Sequence, residues 1–162
     1  MTDNSTNTQP QEQASLFVIH IQYLKDLSFE NPNPLAYFTS DQPAKPDINI
    51  NVQVNARRLT ENMFEVVLEV NVDAKREKEQ MFICQVQYAA LISLQKENLE
   101  EKEIRKILLE NCPQIIFPFA RNIVAEVTVN SGFQPLLLHP IDFATLSAQQ
   151  NEGNEGNNGQ IH

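Results

Sequence analysis

A strict alternation of apolar and polar residues runs through the second quarter of the chain. From residue 48 to residue 57 every second residue is apolar, and the residues between are asparagine, glutamine or arginine. The same period of two recurs at 64–72, and shorter apolar runs occur at 16–24 and 81–88. A period of two with one polar side is typical of strands that are covered on one face only. The polar turns between the last three runs predict antiparallel neighbours.

The second half of the chain has a helical pattern instead. Apolar residues recur at helical spacing through 99–127. Pro113 and Pro118 lie within this stretch and predict a break or kink, because a proline inside a helix removes a backbone hydrogen bond. Gly132 is predicted to end the helix. A short final helix is expected from residue 141 to about residue 150.

These patterns predict an α+β fold. Its four-stranded antiparallel sheet is a meander with a long first crossover through 31–46, and a long kinked helix and a short C-terminal helix pack on one face. A chain of 162 residues is typical of one domain, which we expect to span 16–150. The segments 1–15 and 151–162 are rich in small polar residues and are expected to be disordered tails.

The charge and the hydrophobic runs exclude several classes of protein. The formal net charge is −9, and a negative field repels phosphate backbones, so nucleic acid is not expected as a partner. The alternative interpretation is that the acidic charge only keeps the protein soluble. No apolar run is long enough for a membrane span, and the polar first residues do not resemble a signal peptide. The prediction is therefore a cytoplasmic protein that does not insert into membranes.

Candidate chemistry in the sequence is sparse. No nucleotide-binding, hydrolase or metalloprotease motif is present, and the three histidines have no ligand spacing. We therefore expect no enzyme activity, no metal site and no cofactor. Cys84 and Cys112 are predicted to be free thiols, and Cys84 approaches His20 only if the first and fourth strands are neighbours. Asp26 and Glu30, expected just beyond the first strand, are either solvated surface acids or a charged docking patch.

Five segments of the chain resemble the SecB family of protein-export chaperones. The stretch with two prolines in a helical region is the most specific of them, and the resemblance runs in order through residues 16–148. The segments are LKDLSFENPN (24–33), VNARRLTENMFEVVLEVNV (54–72), MFICQVQ (81–87), ENCPQIIFPFARNIVAEV (110–127) and GFQPLLLHPIDFATL (132–146).

The resemblance implies a function and an assembly that the patterns alone do not. It implies a homotetramer, built as a dimer of dimers, that binds unfolded preproteins without ATP. It also implies that the chaperone keeps them competent for translocation and passes them to the SecA translocation ATPase. Two alternatives stay open: a SecB-like chaperone dedicated to one client such as an antitoxin, and a hot-dog-like enzyme or ligand-binding module. The helices here follow the strands, which argues against a hot-dog domain.

The resemblance also implies roles for individual residues. Its docking surface for the motor corresponds to Asp26, Glu30, Ile83 and Gln85. The family commonly has an acid where this chain has Gln85, so one docking charge is absent. The positions of the client groove, for which a plain core role is the alternative, are Ile48, Ile50, Val52, Phe133, Leu136 and Phe143. The other side of the fourth strand, with Phe82, Cys84 and Val86, corresponds to the packing face on which assembly of the oligomer depends in the family.

Overall fold

A computed structural model describes residues 15–41 and 45–155, and the side chains of all these residues except the last two. The α+β fold is confirmed. A π-helical turn, Ile107–Asn111, separates two α-helices in the second half of the chain. The elements in chain order are β1 (Phe17–Glu30), α1 (Pro34–Phe38), β2 (Asp47–Arg58), β3 (Met63–Arg76), β4 (Glu79–Leu94), α2 (Glu101–Lys106), α3 (Cys112–Asn130) and α4 (Phe143–Glu155).

The four strands form one antiparallel sheet in the order β1-β4-β3-β2. Short turns join β2, β3 and β4 into the expected meander. The tighter of the two turns, between β3 and β4, has Glu77 at a φ of 56°. The long crossover after β1 brings the chain to the opposite edge of the sheet, so β1 and β2 are the two edge strands.

The hydrophobic core lies between α3 and one face of the sheet. Alternate residues of β3, such as Val66, Leu68 and Val70, are fully buried. Ile116 and Val124 of α3 are buried against them. Each such side chain contributes about 1.5–3 kcal/mol when it leaves water. The alternation in the sequence therefore correctly predicted a sheet with one covered side. We call the other side of the sheet the open face.

The long helix contains a π turn next to the stretch where a break or kink was predicted. Helical structure is continuous from α2 through α3, and the Cys112 amide donates to the carbonyl of Ile107, five residues back. Pro113 follows directly and has no N–H to continue the ordinary ladder, which explains an irregular turn at this point. The break or kink was predicted near residues 112–118; the π turn ends at Asn111, directly before that stretch, and Pro118 is accommodated inside α3.

The end of α3 is the predicted glycine-terminated stop. The Phe133 amide donates to the Thr128 carbonyl and the Gly132 amide to that of Val129, each at 3.0 Å. Together these bonds form a Schellman motif. Gly132 has a φ of +88°, and a Cβ there would lie 2.8 Å from the Phe38 ring. Both facts require glycine, and the reversal returns Phe133 to the sheet.

Several boundaries differ from the prediction, and β4, expected at 81–88, spans Glu79–Leu94. β1 continues to Glu30, so Asp26 and Glu30 lie within the strand and not beyond it. The crossover contains α1, which has no sequence period long enough to detect. α4 continues to Glu155, and so includes the first residues of the expected C-terminal tail. Residues 1–14 and 156–162, the rest of both expected tails, lie outside the described residues. Among the described helices, none has the length and apolarity to span a membrane.

Candidate functional site

The four residues expected in motor docking lie together on the open face. In the register of β1 and β4, Glu30 is directly opposite Ile83, and Ser28 is opposite Gln85. Asp26 lies on the same side, two residues from Ser28. Asp26, Glu30 and Gln85 are exposed, and Ile83 is half-buried. The structure therefore gathers these residues on one surface, and their role in docking stays a prediction.

A β-bulge places Asp26 on the open face. The register shifts between Leu24, which pairs with Tyr88 of the core, and Asp26, which pairs with Gln87. Lys25 is the extra residue of this irregularity, and its side chain also reaches the open face. A bulge leaves one residue without a pairing partner and redirects the side chains that follow it. Consecutive residues of opposite charge therefore project to the same surface.

A buried carboxylate holds the Lys25 ammonium. Glu65 of β3 is only 7% exposed, and its Oε1 lies 2.8 Å from Lys25 Nζ and 3.4 Å from Arg57 Nη2. The Tyr23 hydroxyl donates to the other Glu65 oxygen. The hydrogen bonds from Lys25, and then from Tyr23, hold the pKa of Glu65 below its usual range. Burial, followed by the bond to Glu65, raises the pKa of Tyr23 to about 12.

This arrangement spans all four strands of the open face, with side chains from β1, β2 and β3. Tyr23 on β1 pairs with Ala89 on β4, which is fully buried. Because alanine is small, side chains from β1 can reach over β4 to Glu65 on β3. We call Tyr23, Lys25, Arg57 and Glu65 the Glu65 clamp. Tyr23 and Lys25 lie about forty residues before Glu65 in the sequence, and no pattern predicted the clamp.

The apolar groove positions of β2 face the opposite way, toward the helices. Ile48, Ile50 and Val52 are directly opposite the core residues Ala74, Val72 and Val70. Because β2 is an edge strand, its side chains are less covered than those of β3. Ile50 is 40% exposed, and its two neighbours on this face are half-buried.

An aromatic cluster continues this apolar surface. Phe133 packs on Phe82 with ring centroids 4.9 Å apart, and on Tyr37 and Phe38 of α1 at 5.1 and 5.4 Å. Phe38 is 47% exposed. Leu136 is half-buried, and its amide is held by the hydroxyl of the buried Thr128 at 3.1 Å. Neither Tyr37 nor Phe38 was predicted from the sequence. The adjacent aromatic pair after the N-P-N-P turn is the sequence feature that could have identified them.

Comparison with known proteins identifies the family. The family model for the preprotein translocase subunit SecB matches residues 10–154. A protein-export protein SecB from Rhodospirillum centenum is 40% identical over 159 residues, 98% of this chain and 93% of its own length. One from Paramagnetospirillum magneticum is 42% identical over 146 residues, 90% of each chain. The chain belongs to the SecB family.

The SecB family is one of protein-export chaperones, so the family expected from five sequence segments is confirmed. A solved SecB-like chaperone from Mycobacterium tuberculosis, in complex with a peptide of an antitoxin, has the same fold with a TM-score of 0.58 at 17% identity. The match covers 77% of this chain and 90% of that one. The order of strands and helices described above is therefore a SecB-like fold.

Within this SecB-like fold, one predicted groove residue lies in the core. Phe143 begins α4 and is 4% exposed, and its ring meets that of Phe117 edge-on at 5.9 Å. It reaches a client only if α4 moves, so its groove role stays a prediction. The packing face of β4 is buried as well, with Phe82 at 3% and Cys84 and Val86 at 0%. These three residues contact the chain's own core.

Both thiols of this SecB-family chain are buried and free. The first and fourth strands are neighbours, but Cys84 is directly opposite Phe29. His20 instead bonds Ser93 at 2.8 Å on the open face. Burial raises the pKa of Cys84 to about 11 and that of Cys112 to about 12.

The thiol reactivity of the native protein should accordingly be very low. With a pKa near 11, roughly 0.1% of a thiol is ionised at pH 8, and the thiolate is the reactive form. We expect a disulfide reagent at pH 8 to modify neither cysteine rapidly in the folded chain. Both should react within minutes in guanidinium chloride. Rapid modification of the native protein would mean that one of these sites opens to solvent.

Proposed function

We propose that this chain is an ATP-independent holdase of the cytoplasm. It binds unfolded preproteins, keeps them competent for translocation and delivers them to the SecA translocation ATPase. It does so as a homotetramer, a dimer of dimers, without catalysis, cofactor or metal, and without binding nucleic acid or inserting into the membrane. The proposal rests on membership of the SecB family and on one observation: apolar and acidic surfaces occupy opposite faces of one sheet.

The apolar surface suits unfolded clients. Unfolded chains present apolar segments in many sequences, so their site must tolerate variety. Ile50 on the edge strand and Phe38 in the aromatic cluster offer such contacts, and both are substantially exposed. Ile48, Val52, Phe133 and Leu136 line the same side as half-buried residues. Phe143 becomes part of this surface if α4 is displaced.

The acidic surface suits one defined partner. Fixed charges orient a partner and speed its encounter, and they make binding sensitive to salt. Among the described residues, neither Asp26 nor Glu30 has an ion-pair partner within 4.0 Å. Their charges therefore remain available to a basic segment of the motor. Ile83 lies beside them and supplies an apolar contact.

Exposed apolar side chains on β1 and α3 support the proposed assembly. β1 is an edge strand, and such edges are normally covered or paired. Its Val18, Ile21, Leu24 and Leu27 are between 40% and 54% exposed. On α3, Ile115 and Phe119 lie one turn apart at 47% and 49% exposure. Pairing of β1 edges and packing of α3 helices between copies would cover both surfaces.

Two measurements on the purified protein test this proposal. Light scattering at micromolar concentration should give four times the 18.5 kDa chain mass. The protein should suppress aggregation of a chemically unfolded preprotein equally well with or without ATP and chelator. A monomer mass contradicts the assembly. Loss of suppression after removal of nucleotide or metal contradicts the mechanism without cofactors.

Restoring the family's acid at position 85 should strengthen docking. Gln85 is exposed between Ser28 of β1 and Asn71 of β3. Gln85→Glu adds a charge beside Asp26 and Glu30, and we expect about threefold to tenfold tighter binding of the motor at low salt. The gain should shrink as salt is raised. Asn71→Glu is a less conservative control one strand further away, and equal gains would mean that total charge alone determines affinity.

A dedicated client is the second candidate. The SecB-like chaperone from Mycobacterium tuberculosis was solved with a peptide of an antitoxin, which shows that this fold also accommodates one defined peptide. Binding assays with several unrelated unfolded preproteins separate the two functions. A general chaperone binds all of them with similar affinity, whereas a dedicated one binds a single client much more tightly.

A further inference from the structure

We propose that Glu65 is a positioning residue for docking, because it holds the Lys25 ammonium away from Asp26. The inference rests on the proposed docking of the motor and adds a residue on another strand to that surface. Glu65 itself does not contact the motor. It acts through Lys25, whose charge would otherwise oppose recognition of a basic partner segment.

The bulge creates the need for such a residue. Lys25 and Asp26 are consecutive, yet both project to the open face because the register shifts between Leu24 and Asp26. Consecutive Cα atoms are only 3.8 Å apart, and a lysine side chain is long and flexible. An unrestrained Lys25 is therefore able to fold over the neighbouring carboxylate and neutralise it. It would also repel an approaching cationic partner.

The clamp geometry meets that need. Lys25 Nζ lies 2.8 Å from Glu65 Oε1, and the Glu65 side chain is only 9% exposed. Tyr23 and Arg57 donate to the same carboxylate and fix its orientation. A buried charge held by several donors is less screened by salt than a surface pair. The Lys25 charge is thus balanced by Glu65 on β3, and no residue within 15–41 or 45–155 forms an ion pair with Asp26.

Charge-matched variants test the inference. Glu65→Gln keeps the shape and one acceptor but releases Lys25, and we expect motor binding to weaken about threefold to tenfold. Adding Lys25→Met restores the original net charge and removes the released cation, so affinity should return to within about twofold of the unmodified protein. Adding Arg57→Met to Glu65→Gln gives the same net charge but leaves Lys25 free. That variant should stay weak.

Each outcome decides the question. Equal recovery in the two double variants means that net charge alone matters, and it overturns the proposal. If Lys25→Met does not restore motor affinity, Glu65 contributes only to stability, and the proposal is overturned. If Glu65→Gln does not weaken motor binding in the first place, Glu65 has no measurable role in docking, which also overturns the proposal. Mass and melting temperature are recorded for every variant. Asp26→Asn is measured alongside. If it leaves motor binding unchanged, the docking surface is assigned wrongly, and the proposed role of the Glu65 clamp is refuted as well.

A measurement on the unmodified protein gives an independent check. Competitive acylation of lysines, read by mass spectrometry, compares Lys25 with the exposed Lys78 of the β3–β4 turn. We expect Lys25 to react several-fold more slowly, because its ammonium is bonded to a buried carboxylate. Equal rates in the unmodified protein would show that Lys25 is already free, which overturns the proposal even if Glu65→Gln does not fold.

Discussion

Reversing the charges of Asp26 and Glu30 should weaken binding of the SecA translocation ATPase by about 1–3 kcal/mol, roughly 5- to 150-fold in Kd. Both residues lie on the open face of β1, on the same side as Gln85. Lysines at both positions would repel a basic partner segment where the carboxylates attract it. Calorimetry at two salt concentrations measures the loss, which should be larger at low salt.

The same double variant should leave client binding nearly unchanged. The apolar surface lies on the other side of the sheet, so a charge on the open face is separated from it by the backbone layer. Lysines at Glu61 and Glu97, which are exposed outside the open face, provide a control with the same change in net charge. If reversal at Asp26 and Glu30 abolishes suppression of preprotein aggregation but spares motor affinity, the two surfaces are assigned the wrong way round.

Phe143→Ser should destabilise the fold by about 3–5 kcal/mol, because it removes a buried aromatic ring and leaves a cavity beside Phe117. For a chain of this size we expect the melting temperature to fall by about 10 °C. Thermal unfolding followed by circular dichroism measures the change. Phe143→Leu retains most of the apolar volume and should recover most of the stability.

Ile50→Ser is the matched comparison for client capture. Ile50 is 40% exposed on an edge strand, so its replacement should cost only about 1 kcal/mol of stability. Affinity for unfolded preproteins should nevertheless fall several-fold, provided that light scattering still shows the full assembly. If Phe143→Ser keeps its melting temperature and loses client affinity instead, Phe143 is exposed in the working chaperone and α4 has moved.

The placement of Asp26 and Glu30 within β1 depends on a contact that the local sequence does not encode. The resemblance implies a docking role for Asp26 and Glu30, which stays a prediction, and the local sequence places them beyond the first strand. The structure extends β1 to Glu30 through pairing with β4. That pairing is a long-range contact, whereas the N-P-N-P turn and the mixed polarity near residue 26 are local. A local pattern underestimates a strand whose length is set by its partner.

The two register shifts of β1 are a second feature that the local sequence does not predict. By simple alternation, Phe17, Ile19, Ile21 and Tyr23 would share one face. A register shift between Ile19 and Ile21 separates them, so Phe17 and Ile19 face the helices while Ile21 and Tyr23 face outward. The second shift brings Lys25 and Asp26 to the open face together. A bulge depends on which residue of β4 lies opposite, and no period within β1 contains that information.

The sequence by itself determined the sidedness of the sheet, the meander, the glycine at the end of the long helix and the family. Each of these follows from neighbouring residues or from motifs in order, because alternation, turn residues and a C-terminal glycine act locally. Only the tertiary structure decided which groove residues are exposed, that Phe143 is buried and that Tyr37 and Phe38 join Phe133. It alone brought Glu65, forty residues away in the chain, to Lys25. These outcomes depend on which strands are neighbours, and burial is set by that packing.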